Sequence, residues 1–222
     1  MTLDLFSDPP AQPAANLQLG PQSWLFRARL GDEAHDWLNA VAVLTAQAPF
    51  RRMTVPGGKL MSVGLSNCGA YGWVSDLRGY RYEAINPATQ TPWPAMPESW
   101  QQRAAEWARE AGFDGFEPDA CLINDYQLGA KMGLHQDKDE RDFSQPIVSV
   151  SLGMSAVFQF GGLRRTDPIQ KVVLAHGDVV VWGGVDRLRY HGIATVRGTP
   201  HPLTGERRIN ITFRRAQAAD RR

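Results

Sequence analysis

Apolar and polar residues alternate in several short stretches of the chain, which is the pattern of half-buried β-strands. The alternation is most regular at residues 208–214, where Ile209, Ile211 and Phe213 share one face and the other face carries Arg208, Asn210, Thr212 and Arg214. Further strands are predicted at residues 24–30, 121–126, 148–152, 157–160, 172–174 and 179–182. Many short strands of this kind predict a double-sheet jelly roll, which can enclose a ligand between its sheets.

Helical spacing of apolar residues occurs in two segments that precede most of these strands. Residues 32–47 form the first predicted helix, with Asp32 as its N-cap and an apolar face made of Trp37, Val41 and Leu44. Residues 97–112 form the second, which begins at Pro97 and ends at Gly112. We therefore expect an α+β fold, mainly β, in which N-terminal helices support a jelly roll.

The sequence divides into three parts by composition and pattern, and the middle part contains two distinct segments. Residues 1–19 are predicted to be a flexible tail, and residues 20–215 a single domain. Within that domain, residues 50–97 form a lid and residues 119–215 the jelly-roll core. Residues 216–222 are predicted to be a C-terminal tail.

The lid segment is rich in glycine and proline, and its aromatic residues are interleaved with arginines. The aromatics are Tyr71, Trp73, Tyr80, Tyr82 and Trp93, and the arginines are Arg51, Arg52, Arg78 and Arg81. Aromatic faces beside arginines can stack bases and bind phosphates. The alternative is that these aromatic side chains only attach the loop to the core.

Composition excludes several classes of protein. A chain of 222 residues with 43% hydrophobic content can bury the core of one domain. Its net charge of +1 lacks the strong basicity typical of proteins that bind nucleic acid over a large surface. The two cysteines, Cys68 and Cys121, are interpreted as reduced thiols. With no targeting segment or membrane span in the sequence, we expect a cytoplasmic protein.

Residues 134–140 contain the candidate metal ligands. In extended conformation, His135 and Asp137 point to the same side, roughly 6 to 7 Å apart. His191 follows a strand and a glycine-rich bend that could return it to a neighbouring strand. Two histidines and one carboxylate leave open positions on the metal, as in non-haem Fe(II) oxygenases. The alternative is a solvated strand edge.

The polar face of residues 208–214 suits a small dicarboxylate. Two arginines bracket an amide and a hydroxyl, and a guanidinium binds a carboxylate through two hydrogen bonds. On the strand at 121–126, Asn124 and Tyr126 share a face and offer neutral hydrogen-bonding groups. A solvated surface strand is the alternative interpretation.

Taken in order, these motifs resemble the AlkB family of Fe(II)/2-oxoglutarate dioxygenases. They are Asn124-x-Tyr126, His135-x-Asp137, His191 and Arg208-x-Asn210-x-x-x-Arg214. Residues 67–69, 72–73, 79–80, 93–97 and 158–162 also match the bacterial branch of the family, so the resemblance extends from about residue 50 to residue 215.

The resemblance implies a metal site and a cosubstrate site. Fe(II) would be held by the catalytic residues His135, Asp137 and His191, with O2 and 2-oxoglutarate as cosubstrates. The residues implied for 2-oxoglutarate are Asn124, Asp125, Tyr126, Arg208, Ile209, Asn210 and Arg214. Arg214 is assigned to the far carboxylate and Arg208 to the keto-acid end. Asp125 and Ile209 depart from the family pattern, and alternation turns both away from the pocket.

The resemblance also implies a substrate and its binding residues. The expected activity is oxidative demethylation of 1-methyladenine and 3-methylcytosine in single- or double-stranded DNA or in RNA, with release of formaldehyde, succinate and CO2. The residues implied for substrate are Trp73, Tyr80, Arg81, Tyr82, Asp139 and Arg165. The alternatives are a salt bridge of Asp139 within Lys138-Asp139-Glu140 and a solvated loop position for Arg165.

Two other functions compatible with the residues stay open at this point. One is hydroxylation of a protein or lipid by the same type of metal site. The other is a non-catalytic jelly roll that binds a metal. A monomer without membrane contact is expected in each case.

Overall fold

Two antiparallel β-sheets form the framework of the computed structural model, which describes residues 15–217. The strands are β1 Leu17–Gly20, β2 Ser23–Phe26, β3 Gly64–Gly69, β4 Gly72–Asp76, β5 Gly79–Glu83, β6 Ile85–Asn86, β7 Thr91–Pro92, β8 Ala120–Gln127, β9 Met132–His135, β10 Ile147–Gly153, β11 Ala156–Phe160, β12 Gln170–Leu174, β13 Val179–Trp182, β14 His191–Ile193 and β15 Arg207–Arg214. The helices are α1 Ala34–Gln47 and α2 Glu98–Glu110, with short 3-10 helices at Gly31–Glu33 and Gly184–Asp186.

The larger sheet has seven strands in the order β1-β2-β13-β10-β15-β8-β3, and the smaller has four in the order β12-β11-β14-β9. Neighbouring strands are antiparallel throughout both sheets. From β8 onward the chain passes repeatedly between the two sheets, as in a jelly roll, and stays within one sheet only at the β11–β12 hairpin. The predicted mainly β, α+β fold is confirmed.

Strand β15 has the two chemically different faces that alternation predicted. Ile209, Ile211 and Phe213 belong to the apolar core beneath the helices. The rings of Trp37 in α1 and Trp100 in α2 each lie edge-on to Phe213, with ring centroids 6.1 Å apart. Helix packing therefore covers the outer face of the large sheet and leaves the polar face of β15 for the space between the sheets.

A second apolar core fills part of the space between the sheets. Phe158 of the small sheet and Trp182 of the large sheet meet there, with ring centroids 6.3 Å apart. Tyr126 and Ile193 belong to the same buried cluster. Apolar side chains fill one part of the space between the sheets. The polar face of β15 lines the other part of this space.

Both helices lie close to their predicted bounds, and one predicted capping interaction is wrong. Helix α1 begins at Ala34 after a 3-10 turn, and Asp32 makes no capping hydrogen bond. The turn already satisfies the first backbone donors, since the Glu33 amide bonds to the Leu30 carbonyl. Helix α2 follows Pro97 as predicted, and Gly112 after its end has the left-handed backbone typical of a helix terminus.

Several predicted boundaries need correction. The predicted N-terminal tail overlaps β1, which pairs with β2, and residues 1–14 lie outside the described part of the chain. The predicted lid includes β3, which is the edge strand of the large sheet. At the C-terminus, the Asp119 carboxylate accepts hydrogen bonds from the amides of Ala216 and Gln217, while residues 218–222 are not described. Strand β3 reads Gly-Leu-Ser-Asn-Cys-Gly and is buried at four consecutive positions, so its sequence lacks the alternation that marks a strand.

The remainder of the predicted lid is built from two small hairpins, β4–β5 and β6–β7. In the first hairpin Trp73 lies opposite Tyr82, and Ser75 lies opposite Tyr80. The Asn67 side chain fixes the position of this hairpin by bonding both the amide and the carbonyl of Trp73.

Between residues 15 and 217, neither helix has the length and apolar character needed to cross a membrane.

Candidate metal centre and adjoining cavity

Three side chains predicted as metal ligands converge at one end of the space between the sheets. One ligand atom from each of His135, Asp137 and His191 lies within 4.8 Å of the others. His135 ends β9 and His191 begins β14, and the two residues are paired across these neighbouring strands. The predicted extended run stops at His135, but Asp137 still reaches both imidazoles, at 3.6 Å from His135 Nε2 and 3.8 Å from His191 Nε2.

The backbone orients both imidazole rings for metal binding. His135 Nδ1 lies 2.9 Å from the Gly133 carbonyl oxygen, and His191 Nδ1 lies 3.0 Å from the Arg189 carbonyl oxygen. Donation from Nδ1 to these carbonyls leaves the Nε2 lone pair of each ring directed at Asp137. Two imidazoles and one carboxylate with open positions beside them are a donor set suited to Fe(II).

Burial and charge keep the site in a protonation state that can bind a cation. Burial lowers the pKa of His191 to about 4, with a further lowering by His135. Burial by itself would raise the pKa of Asp137, but Arg214 and the two histidines hold it well below its usual range. Near neutral pH, therefore, His191 is uncharged and Asp137 is ionised, as metal ligands must be.

Five of the seven predicted cosubstrate residues line the cavity that opens beside the candidate metal centre. This cavity has a volume of about 520 Å³, and its walls include Asn124 and Tyr126 of β8 and Arg208, Asn210, Thr212 and Arg214 of β15. The Asn210 side chain is already committed to the protein, because its amide nitrogen donates to Ser149 Oγ and to the Val150 carbonyl. Asn124 donates to Asn210 and has a buried carboxamide oxygen with no partner in the described structure.

The two arginines of β15 occupy different environments. Arg214 Nη2 and Nε donate to Asp137 Oδ2 at 2.7 and 3.0 Å, so this arginine belongs to the metal centre. Arg208 is only 1% exposed and lies over the Tyr126 ring, where Nη2 donates to Ser151 Oγ. Its Nε and Nη1 atoms are buried without a partner in the described part of the chain. A buried guanidinium with two free nitrogens suits an anionic ligand.

The contacts of the two arginines bear on the roles predicted for them. The family resemblance predicts Arg214 at the far carboxylate of the keto diacid and Arg208 at its keto-acid end. In the structure Arg214 is hydrogen-bonded to the candidate ligand Asp137, whereas Arg208 lies over the Tyr126 ring and donates to Ser151. Alternation identified the shared face of the strand but could not identify which end of the strand meets β9 and β14.

Asp125 and Ile209 do not line the cavity, which corrects their inclusion among the cosubstrate residues as side-chain contacts. The Asp125 carboxylate accepts hydrogen bonds from Arg207 and Gln127 on the other face of the sheet. Ile209 packs in the core beneath the helices. The alternation of the two strands had already placed both side chains on the face opposite the pocket.

Four of the predicted substrate residues surround the mouth of the cavity. Trp73 Nε1 donates to Asp139 Oδ2 at 2.8 Å, and the Trp73 ring stacks on Tyr80 with centroids 5.4 Å apart. Burial raises the pKa of Asp139, and the hydrogen bond from Trp73 partly opposes this. Arg165 donates to the Leu134 carbonyl and lies over the Tyr190 ring. The suggested pairing of Asp139 with Lys138 is absent among the described ion pairs.

Arg81 and Tyr82 have contacts other than those predicted for substrate residues. Arg81 lies outside the cavity lining, paired with Asp76 and Glu83 on the lid surface. Tyr82 does line the cavity, but its hydroxyl donates to the buried carboxylate of Glu140 at 2.7 Å.

Sequence reasoning missed two buried charged residues of the site, Glu140 and Arg187. Their side chains are 2% and 3% exposed, and they form an ion pair with a distance of 2.9 Å. Nothing in the sequence near Arg187 distinguishes it from a surface residue, since it lies between Asp186 and Arg189 in a polar turn. Only its burial after folding identifies it.

Known proteins are similar to this chain in both sequence and fold. A family profile described as the 2OG-Fe(II) oxygenase superfamily matches residues 24–214. The alpha-ketoglutarate-dependent dioxygenase AlkB of Salmonella typhimurium is 52% identical over 216 residues, covering 96% of this chain and 98% of the relative. The nucleic acid dioxygenase ALKBH1 of Mus musculus is 39% identical over 134 residues, which cover 59% of this chain and 33% of that protein. The solved structure of OsALKBH1 superposes with a TM-score of 0.80 at 27% identity, covering 90% of this chain and all of that one.

The depressed pKa of His191 predicts a pH dependence of stability in the metal-free protein. Between about pH 4 and pH 6.5 the unfolded chain binds a proton at this residue and the folded chain does not, so stability rises with pH across this window. Acidification through it should remove up to about 3 kcal/mol through His191. Urea unfolding of chelator-treated protein should show this loss in the wild type and a smaller one in His191→Gln. An equal loss in both would contradict the assignment.

Proposed function

Because the chain belongs to the AlkB family within the 2OG-Fe(II) oxygenase superfamily, we propose that it removes methyl groups from ring nitrogens of nucleic-acid bases. The protein is an Fe(II)- and 2-oxoglutarate-dependent dioxygenase. The proposed substrates are 1-methyladenine and 3-methylcytosine in DNA or RNA. One observation supports this most directly: the three candidate metal ligands, the Trp73–Asp139 pair and a buried arginine all line a single cavity, and two nitrogens of that arginine have no partner among residues 15–217.

The donor set determines the proposed arrangement of metal and cosubstrate. His135, Asp137 and His191 would hold Fe(II), and Arg208 would bind the far carboxylate of 2-oxoglutarate with its two free nitrogens. The Tyr126 ring, 5.0 Å from the Arg208 guanidinium carbon, holds that group in place. When bound, Fe(II) supplies the oxidation of the methyl group by O2, coupled to conversion of 2-oxoglutarate to succinate and CO2.

The residues at the cavity mouth suit a cationic methylated base. Methylation at a ring nitrogen blocks base pairing and leaves the ring positively charged, so the base is easier to extrude from the stack. The aromatic face of Trp73 and the carboxylate of Asp139 are both favourable partners for such a ring. Hydroxylation of the methyl group leaves an N-hydroxymethyl group, which loses formaldehyde and restores the base.

Cationic side chains at the rim support a nucleic-acid substrate over a protein or lipid. Lys131, Lys138 and Arg165 all line the cavity, although the chain as a whole carries a net charge of only +1. Local positive charge of this kind can hold phosphates beside a flipped base without a strongly basic protein. The mouse relative, named a nucleic acid dioxygenase, is consistent with this choice. A monomeric state stays a prediction from the sequence.

The central prediction is release of formaldehyde from a methylated oligonucleotide. Incubation with Fe(II), 2-oxoglutarate and O2 should yield formaldehyde and at least an equal amount of succinate, and mass spectrometry should show the base losing one methyl group. His135→Ala should abolish both products. Formaldehyde from a methylated peptide, with none from DNA or RNA, would instead favour a protein substrate.

Arg208 can be tested against its neighbour on the same strand. Loss of a charged hydrogen-bonding partner costs about 1.5 to 3 kcal/mol, so Arg208→Ala should raise the KM for 2-oxoglutarate by roughly 10- to 150-fold. Arg207→Ala is the matched control, because Arg207 points outward to Asp125 and its side chain is 43% exposed. Equal KM values for the two variants would remove Arg208 from the cosubstrate site.

Trp73 should separate use of the methylated base from use of the cosubstrate. We expect Trp73→Ala to lower kcat/KM for the methylated oligonucleotide by at least tenfold, since base–aromatic stacking is worth about 1 to 3 kcal/mol. Substrate-independent succinate formation should persist, because the hydrogen bonds and ring stacking of Trp73 are with Asn67, Asp139 and Tyr80. Parallel assays of succinate and formaldehyde measure the two activities. Unchanged preference for methylated over unmodified oligonucleotide would contradict the assignment.

A further inference from the structure

Glu140 is a buried anion that connects the lid to the metal centre. Tyr82 of the lid donates its hydroxyl hydrogen to Glu140 Oε1 at 2.7 Å. Arg187 donates from Nη2 to Glu140 Oε2 at 2.9 Å, and Arg214 Nε lies 3.5 Å from Oε1. Since both carboxylate oxygens already have protein partners and the side chain is 2% exposed, Glu140 is poorly placed to bind substrate directly.

The partners of Glu140 are the groups that hold Asp137. Arg214 donates two hydrogen bonds to the Asp137 carboxylate. Arg187 donates from Nη1 to the Asp137 backbone carbonyl at 2.7 Å and from Nε to the Gln145 carbonyl. Glu140 therefore contacts Arg187, which holds the Asp137 backbone. It also lies close to Arg214, which holds the Asp137 side chain.

These four residues form a charge-balanced group. Asp137 and Glu140 supply two negative charges, and Arg187 and Arg214 supply two positive charges, with side-chain exposures between 2% and 10%. Unbalanced charge is costly in such a poorly hydrated environment. Neutralising Glu140 would leave two arginines against one carboxylate, next to a site that must accept a divalent cation.

The hydrogen bond between Tyr82 and Glu140 also links the candidate metal centre to the hairpin that carries Trp73. Tyr82 lies on β5 directly opposite Trp73 on β4. Its hydrogen bond to Glu140 holds the hairpin over the cavity from the metal side, while Trp73 bonds Asp139. The hairpin that carries the proposed base-stacking ring is thus attached at two neighbouring residues of one loop.

We propose that Glu140 is a positioning residue with two separable effects: its charge sustains divalent-metal affinity at His135, Asp137 and His191, and its hydrogen bond to Tyr82 holds the β4–β5 hairpin in place. The proposal rests on the proposed function for the identity of the metal site and of the lid. It does not require that the substrate be a nucleic acid.

Two substitutions separate these effects. Glu140→Gln removes the charge but leaves a carboxamide that can still hydrogen-bond the Tyr82 hydroxyl. Tyr82→Phe removes the hydrogen bond and keeps the charge. Glu83→Gln is the matched control, because Glu83 lies on the same strand as Tyr82 but pairs with Arg81 at the surface.

Metal affinity is measured with Mn(II) alone, by electron paramagnetic resonance of the free ion, in the absence of nucleic acid and 2-oxoglutarate. We expect the Kd for Mn(II) to rise at least fivefold in Glu140→Gln and to stay within twofold of the wild type in Tyr82→Phe and Glu83→Gln. A Glu140→Gln variant that binds Mn(II) like the wild type would overturn the charge effect.

Lid attachment is measured by hydrogen–deuterium exchange at residues 72–83. Exchange should be at least fivefold faster in Tyr82→Phe than in the wild type and Glu83→Gln. Unchanged exchange in Tyr82→Phe would overturn the tethering effect.

If Glu140→Gln does not fold, Glu140→Asp replaces it in the Mn(II) measurement. This variant keeps the charge, so its Mn(II) affinity should stay near that of the wild type, and a fivefold loss would count against the proposal.

Neither readout involves turnover, so failure of the proposal and failure of the proposed function can be told apart. Wild-type protein that leaves methylated oligonucleotides unchanged would refute the demethylase function, whatever the Mn(II) affinities of the variants. Normal demethylation together with unaltered Mn(II) binding in Glu140→Gln would refute the role of Glu140 and leave the function intact.

Discussion

The site depends on a buried ion pair between the two sheets. Asp137 follows β9, an edge strand of the small sheet, and Arg214 ends β15, an interior strand of the large sheet; their closest atoms are 2.7 Å apart. Burying two charges is expensive unless they are paired and hydrogen-bonded, and removing one partner of such a pair typically costs about 3 to 5 kcal/mol. The pair therefore constrains the spacing of the sheets at the point where the two histidines meet.

The same ion pair explains why Asp137 stays ionised in a poorly hydrated cavity. Without the arginine, burial would favour the neutral acid and weaken the site for a cation. With it, one carboxylate oxygen is occupied by the guanidinium, and the other faces His135. The ligand is thus oriented before any metal binds, which reduces the rearrangement that metal binding requires.

The space between the sheets has an apolar part and a polar part. Aromatic and aliphatic side chains close one part, around Phe158 and Trp182, and polar side chains of β15 and β8 line the rest. Arg208 lies at the boundary, where it stacks on Tyr126 and has two nitrogens without a partner in the described part of the chain. A dicarboxylate between Arg208 and the metal centre would complete the hydrogen bonding that the protein alone leaves unfinished.

The sequence by itself determined the elements with strong local patterns. The alternation at 208–214, the helical spacing around Trp100 and the spacing of His135 and Asp137 predicted β15, α2 and two of the three candidate metal ligands, because each pattern lies within a few consecutive residues. Tertiary structure alone decided which arginine bonds Asp137, that the Tyr82 hydroxyl faces inward to Glu140, and that Arg187 is buried. These features depend on contacts between residues far apart in the chain, and local periodicity carries no information about how strand ends are brought together.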